Sequence, residues 1–386
     1  MRFEQIMSNE VLDIRDGTHE SPKYKDTGYP LITSKNLKHG RIDFSDVNFI
    51  SEEDYISINK RSKVNKGDVL YSMIGSIGNY AFVDNEPNYA IKNVALFRFI
   101  DKRLYNKFFL HLINSSIFQR QIEQRMKGGT QKFVSLKILR NLKIPLPPIE
   151  EQKKIAAILD AAADYRQKTK ALIDKYDQLT QSLFLDMFGD PVTNPKGWIL
   201  SPLGEVIDVR DGTHDSPKYI HEGYPLITSK NIVGGKLKFN EVNLISKLDF
   251  DNINKRSKVD YGDIIMPMIG TIGNPVEILT KEPFAIKNVA LFKKSTDSLL
   301  LIPVLLMLLK GHFLLHYSRM NNRGGTQKFL SLGAIRKMPV FLPPLSLQNQ
   351  FAERIAQIEK QKQQAEASLV KAEELFNSLL QKAFKG

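Results

Sequence analysis

Two histidines, His19 and His214, each sit three residues after an aspartate, in the stretches DGTHESPKY (Asp16–Tyr24) and DGTHDSPKY (Asp211–Tyr219). A histidine beside a carboxylate can ligate a metal or move a proton, but neither stretch offers a second histidine at ligand spacing. The stretch reads better as a shaped loop at a binding surface. Asp-Gly and Ser-Pro favour turns there, and Lys23, Tyr24, Lys218 and Tyr219 could meet a phosphate or a base. Four hydrogen-bonding residues recur as Thr33-Ser34-Lys35-Asn36 and Thr228-Ser229-Lys230-Asn231. Asparagine suits adenine and lysine suits guanine, although an asparagine-capped turn at a strand end would use the same residues. Lys60, Arg61 and Lys63, with Lys255, Arg256 and Lys258, form short basic clusters suited to phosphates or to a solvated face. Gly129-Thr130-Gln131-Lys132 and Gly325-Thr326-Gln327-Lys328 join a flexible backbone to amide and cationic donors. With Lys137, Arg140, Arg336 and Lys337 after them, they are the preferred nucleic-acid-contacting loops.

Chemistry of other kinds finds little support. LPPI and LPPL lack the asparagine of an adenine-methylating NPPF or NPPY motif, and no glycine-rich cofactor fingerprint appears. There is no Walker A lysine loop and no convincing cluster of carboxylates for a metal-dependent nuclease. Cysteine is absent, which excludes disulfides and thiolate metal sites and suits a reducing cytoplasm. No catalytic residue and no metal ligand is therefore assigned. The formal net charge is +13, from 55 basic against 42 acidic residues, which favours a polyanionic partner. The most apolar run, 299–309, is 11 residues long with a proline inside, too short to cross a bilayer.

The elements that must position these residues come in two copies. From Asp16 to Phe97 the chain aligns without a gap to Asp211–Phe292, with about 47 of 82 positions identical. GYPLITSKN, INKRSKV, MIG-x-IGN and AIKNVALF all recur, and the copies rejoin at GGTQKF and LPP. The repeat is far longer than a solenoid unit and marks two like domains. Each begins with short β-branched and aromatic stretches broken by glycine and asparagine, which predict an irregular sheet. A helical stretch follows, at about 105–127 and 302–322. The Pro-Pro pair then gives way to a long helix. Residues 150–187 hold no proline or glycine, enough for about 57 Å of helix. Ile155, Ile158, Ala162, Tyr165, Thr169, Leu172, Tyr176, Leu179 and Leu183 follow 3-4 spacing and predict a coiled-coil seam. In 346–385 the same spacing runs through Phe351, Ile355, Ile358, Lys362, Ala365, Leu369, Ala372, Phe376, Leu379 and Ala383. Each stripe needs a helical partner. Antiparallel pairing of the two within the chain would set two heads on a rod about a twofold axis, and homodimerising coils are the alternative.

In this order, twice, DGTHxSPKY, GYPLITSKN, GSIGN or GTIGN, GGTQKF and LPP leading into EQKKIAAILD or LQNQFAERIA resemble the specificity subunit of type I restriction–modification enzymes. NPKGW at 194–198 also looks like the start of such a domain. The resemblance covers essentially the whole chain. It implies an α+β fold of two similar target-recognition domains, 1–148 and 190–344, separated by spacer helices 149–189 and 345–386. It further implies double-stranded DNA as partner, each domain reading half of a split sequence. Two methyltransferase subunits would dock on the helices and methylate adenine at N6 with S-adenosylmethionine. Restriction and translocase subunits would use ATP and Mg, and this chain would bind no cofactor itself and catalyse nothing. Because the halves share long identical stretches, a near-palindromic target is expected. A methyltransferase or nuclease acting by itself, or a coiled-coil scaffold without nucleic acid, are the alternatives.

Overall fold

The computed structural model describes residues 3–126, 133–270, 272–295, 297–321 and 329–385. The chain divides into two compact units, Met1–Lys170 with Ala367–Gly386, and Ala171–Glu366.

In the first unit, four antiparallel strands run in the order Leu12–Asp16, Val94–Phe99, Val69–Ser72, Tyr80–Phe82. Successive side chains of a strand face opposite ways. Ala95 and Phe97 accordingly join one core with Val69 and Tyr71, while Val94 and Leu96 join another with Leu70. Burial on both faces is why VALF is apolar without alternation. A smaller mixed sheet orders Asn48–Ile50, Tyr29–Ile32 and Ala90–Ile91, with Leu31 parallel to Ala90 and Tyr29 antiparallel to Ile50. The second unit repeats the plan. Val209–Asp211, Val289–Phe292, Ile264–Pro267 and Val276–Glu277 form its antiparallel sheet, and Tyr224–Ile227 pairs in parallel with Ala285–Ile286.

Helices Glu52–Ser62 and Lys247–Ser257 interrupt what the sequence presents as strands. Each is capped by a serine, Ser51 Oγ accepting from Asp54 N and Ser246 Oγ from Asp249 N, both at 3.1 Å. Acids in the first turn and basic residues in the last complement the helix dipole. The single helical stretch expected at 105–127 is two helices, Asn106–Ile113 and Ser116–Arg125, because Ser115 starts a new cap on Phe118 N. Its counterpart breaks at Gly311, between Ile302–Lys310 and His312–Asn321.

The long helices are Ile149–Phe188 and Leu345–Lys385, 40 and 41 residues. Each is pegged at its start by a buried glutamine. Gln152 Oε1 accepts from Tyr105 N at 2.8 Å, and its Nε2 donates to the carbonyls of Arg103 and Pro147 at 2.6 and 2.7 Å. Gln348 repeats all three bonds with Leu301, Leu299 and Pro343. In the first unit Ile155, Ala156 and Leu159 from the beginning of one helix share a core with Phe376, Leu380 and Phe384 from the end of the other. In the second unit Phe184, Met187 and Phe188 share a core with Phe351. The pairing within each unit is thus antiparallel.

One half of the expected seam needs correction. Ile158, Tyr165, Leu172 and Leu179 are exposed, at 55, 54, 43 and 50%. The covered line instead runs through Ile155, Leu159, Ala162, Arg166, Thr169, Ile173, Tyr176, Thr180 and Phe184. Both lines step by three or four residues, and they differ by one residue at every second position and at the last. Arg166 earns its inner place by lying over the Phe376 ring, 4.5 Å from its centroid. Leu183 is half-buried beside the buried Phe184. Ile355, Ile358, Leu369 and Leu379 are half-buried, and Phe376 is buried. No described helix is long and apolar enough to cross a membrane.

Candidate nucleic-acid interface

The repeated nonapeptide begins where a strand ends. Asp16 is 8% exposed, and its carboxylate receives both the Arg61 guanidinium and His19 Nε2, the latter at 2.8 Å. His19 Nδ1 lies 2.8 Å from Asn93 Oδ1, and Asn93 holds the left-handed backbone (φ 54°) that asparagine tolerates. Gly17 is needed because a Cβ there would stand 2.1 Å from the Ile91 carbonyl oxygen. Thr18 N and Asn93 N complete the crossing by donating to Ile91 O and Thr18 O. The second unit repeats it. Asp211 takes Arg256 at 3.0 Å and His214 at 2.9 Å, and Asn288 takes the other histidine nitrogen at 2.8 Å. Three of the recurring motifs, DGTH, INKRS and AIKN, therefore recur together because they meet at one place. Both histidine nitrogens are occupied, which leaves the ring without a free ligand atom.

This network bears on part of the expected contact set. Arg61 and Arg256 are tied to aspartates and to the Gly17 and Gly212 carbonyls, although their side chains stay 64 and 63% exposed. Asn36 is buried. Its Oδ1 accepts from Thr33 N and Oγ1 at 3.0 Å, and its Nδ2 donates to Asp43 O and Asp46 O. Asn231 accepts the same pair from Thr228. Thr33, Asn36, Thr228 and Asn231 thus form the asparagine-capped turn rather than free base-reading groups. Arg140 and Arg336 also serve the fold, each guanidinium donating twice to one carbonyl, Ile14 O or Val209 O.

Other expected residues face outward. Lys23, Lys35, Lys60, Lys63, Lys218, Lys230, Lys255 and Lys258 are exposed, as are Tyr24 at 50% and Tyr219 at 48%. Lys35 pairs with Asp46 at 3.0 Å, and Lys258 with Asp260 at 2.9 Å. Lys255 donates to Asn252 Oδ1. Ser34 and Ser229 are half-buried. A Cβ on Gly75 would lie 3.8 Å from Ser34 Oγ, so the capped turn adjoins the GSIGN loop. That loop in turn adjoins Phe133, which bridges Ile74 while Val134 N donates to Met73 O. Gly129, Thr130, Gln131, Lys132, Gly325, Thr326, Gln327 and Lys328 lie outside the described residues. An open cleft of about 270 Å³ separates the nonapeptide (Thr18, Glu20, Pro22) from the helix bearing Asp54, Ser57 and Arg61.

A hairpin on this same rim escaped the sequence reading. Leu37–Lys38 pairs with Arg41–Ile42 in the first unit, and Ile232–Val233 with Lys236–Leu237 in the second. Both central residues of each turn have positive φ, His39-Gly40 and Gly234-Gly235. The Gly-Gly pair between short apolar runs was the available signal. Lys38 Nζ bonds Asp43 Oδ2 at 2.7 Å, and that bond, with those from Ser45, holds the Asp43 carboxyl far below the usual range.

Comparisons with known proteins agree with this duplicated layout. A family described as type I restriction modification DNA specificity domain matches twice, over residues 3–175 and 195–371. The EcoKI specificity subunit of Escherichia coli K12 is 21% identical over 394 residues, covering 94% of this chain and 83% of the relative. The MjaVIII specificity subunit of Methanocaldococcus jannaschii is 27% identical over 194 residues, and the EcoBI specificity subunit of E. coli 29% over 171. This chain spans only 45% and 36% of the length of those two. Among solved structures, the S subunit of a type I system from M. genitalium superposes over 100% of this chain and 97% of its own, with TM-score 0.58 and 15% identity. A chain from work on complex assembly and conformational transition of the type I R-M system gives 0.61 at 18% identity, covering 100% and 98%. At such identities the likeness is one of fold.

Proposed function

Because this chain belongs to the type I restriction–modification DNA specificity family, its domain matching twice, we propose that it supplies sequence recognition to such an enzyme. Each unit reads one half of a split duplex target. The long helices set the spacing and carry two methyltransferase subunits, which methylate adenine at N6 with S-adenosylmethionine. Restriction and translocase subunits add ATP- and Mg-dependent cleavage, and this chain contributes no catalytic group.

The observation that carries the reading is the constellation built twice. Asp16, His19, Arg61 and Asn93 in one unit match Asp211, His214, Arg256 and Asn288 in the other, bond for bond. Two like frames present two like rims, and duplex DNA offers two like half-sites when its sequence is inverted about a centre. The half-sites are therefore near-palindromic. Exposed apolar pairs seven residues apart, Ile158 and Tyr165 in the first unit and Leu172 and Leu179 in the second, support docking of a methyltransferase subunit on each, since such side chains suit a protein partner better than water.

Methylation mapping tests this reading. DNA from cells expressing the chain with its methyltransferase partner acquires N6-methyladenine in a split motif, and cells lacking either component do not. Methylation that persists without the chain, or that falls at an unsplit site, would overturn the proposal.

A further inference from the structure

We propose that the hairpin Ile232–Leu237 and its flank form a phosphate-gripping site with more free cations than its counterpart in the first unit, so the two units hold the duplex backbone unequally. This division of labour rests on the DNA-recognition reading and extends it.

The two units part at TSKNLKHGRIDFSD, 33–46, against TSKNIVGGKLKFNE, 228–241. The frames are the same. Asp43 N donates to Asn36 O at 2.8 Å, and Lys238 N donates to Asn231 O at 2.8 Å. Lys238 therefore occupies the backbone position of Asp43, and Val233 that of Lys38. In the first unit a phosphate approaching Lys38 meets the Asp43 carboxylate 2.7 Å from the ammonium, and one approaching Lys35 meets Asp46 at 3.0 Å. Lys35 and Lys38 are thus already answered by anions, and of the three cations only Arg41, the counterpart of Lys236, is exposed with no ion-pair partner among the described residues.

The second unit removes one anion and puts a cation in its place. Lys230 and Lys238 are exposed and have no ion-pair partner among the described residues, and Lys236 has only Glu366, at 3.7 Å. Three lysines thus stand along one short hairpin and its flank, with Gly234 and Gly235 leaving open space around the turn. The chemistry this fits is a run of phosphodiesters, which ask for cations and not for bidentate base geometry. Lysines bound to phosphates displace condensed counterions. Each phosphate neutralised in this way adds about 0.9 to the slope of log affinity against log salt on duplex DNA.

The test is the salt dependence of duplex binding by the full chain, measured by fluorescence anisotropy on a labelled duplex carrying the mapped target. Lys236→Gln with Lys238→Gln makes the slope shallower by about 1 for each phosphate no longer gripped. Lys38→Gln leaves it unchanged, and Asp43→Lys makes it steeper. The three lysines are exposed and Asp43 is half-buried, and an unchanged thermal unfolding curve checks the fold of each variant. Duplex binding whose slope responds equally to Lys38→Gln and to the paired Lys236→Gln and Lys238→Gln changes, or to neither, overturns the inference while leaving the recognition reading intact. Failure of the unaltered chain to bind the duplex at all counts against both.

Discussion

Asp16 shows how a single residue can determine the meaning of several motifs. Its carboxylate binds Arg61 and His19, and His19 reaches Asn93, so a loop, a helix end and a strand-to-strand turn are fixed together. The sequence exposes these residues as repeated but not as mutually engaged, because their separations of 45 and 74 residues carry no periodic signal. Outward-facing lysines were legible from charge, whereas Asn36 was not. A buried asparagine with every polar atom used looks, in sequence, like one free to read adenine. Differences between the copies also mark costs. Tyr89 is 3% exposed with no hydrogen-bond partner for its hydroxyl among the described residues, and the other unit has Phe284 there. Burial pushes this phenol well above its ordinary range. Leaving a hydroxyl buried and unpaired costs about 1–3 kcal/mol, so Tyr89→Phe raises stability by about 1 kcal/mol. Urea unfolding measures it, and a comparable loss would show that the hydroxyl has a partner.

Among the elements, the sheet strands and both long helices were readable, since apolar runs, proline pairs and uninterrupted helical composition each have one physical cause. The seam was only half readable. Ile158, Tyr165, Leu172 and Leu179 have the residue type of a buried line, yet Arg166 and Thr180 line the covered side. Arginine achieves this by stacking its planar head on Phe376 and threonine by being small, neither of which a hydrophobicity pattern registers. The helices Glu52–Ser62 and Lys247–Ser257 had legible caps, but their short apolar content was lost among neighbouring strands. Glutamine pegs at the helix starts are the more consequential feature. Gln152→Ala leaves three backbone groups unanswered and costs about 2–4 kcal/mol, and Gln348→Ala costs a similar amount. Chemical denaturation reports the loss. A change under about 1 kcal/mol would mean that water replaces the amide.

For the molecule as a whole, duplication does not mean equivalence. His111 lies against Asp160 at 2.7 Å in the first unit, and the repeat places Met307 at the matching position. Burial holds the His111 pKa below its ordinary 6.5, outweighing the pull of Asp160. The folded state therefore binds this proton less readily than the unfolded chain. The contribution to stability is complete above 6.5 and is lost as pH falls through the depressed value. His111→Met, which copies the other unit, flattens that decline. Unfolding midpoints of both proteins across this range check it, and parallel curves would show that other groups govern the acid side.

Phe376, Leu380 and Phe384 complete the core built on Leu12, Phe97 and Phe108. On the ribosome, that arrangement sets an order of events. The amino-terminal half emerges first yet stays unsealed while roughly 200 further residues are made, about 10–40 s at ordinary elongation rates. Until the last turns of the chain arrive, its apolar floor has no lid. Of the two units, the one made earlier is thus the one finished later, and a nonsense codon that removes Phe376 is felt in the core built on Leu12.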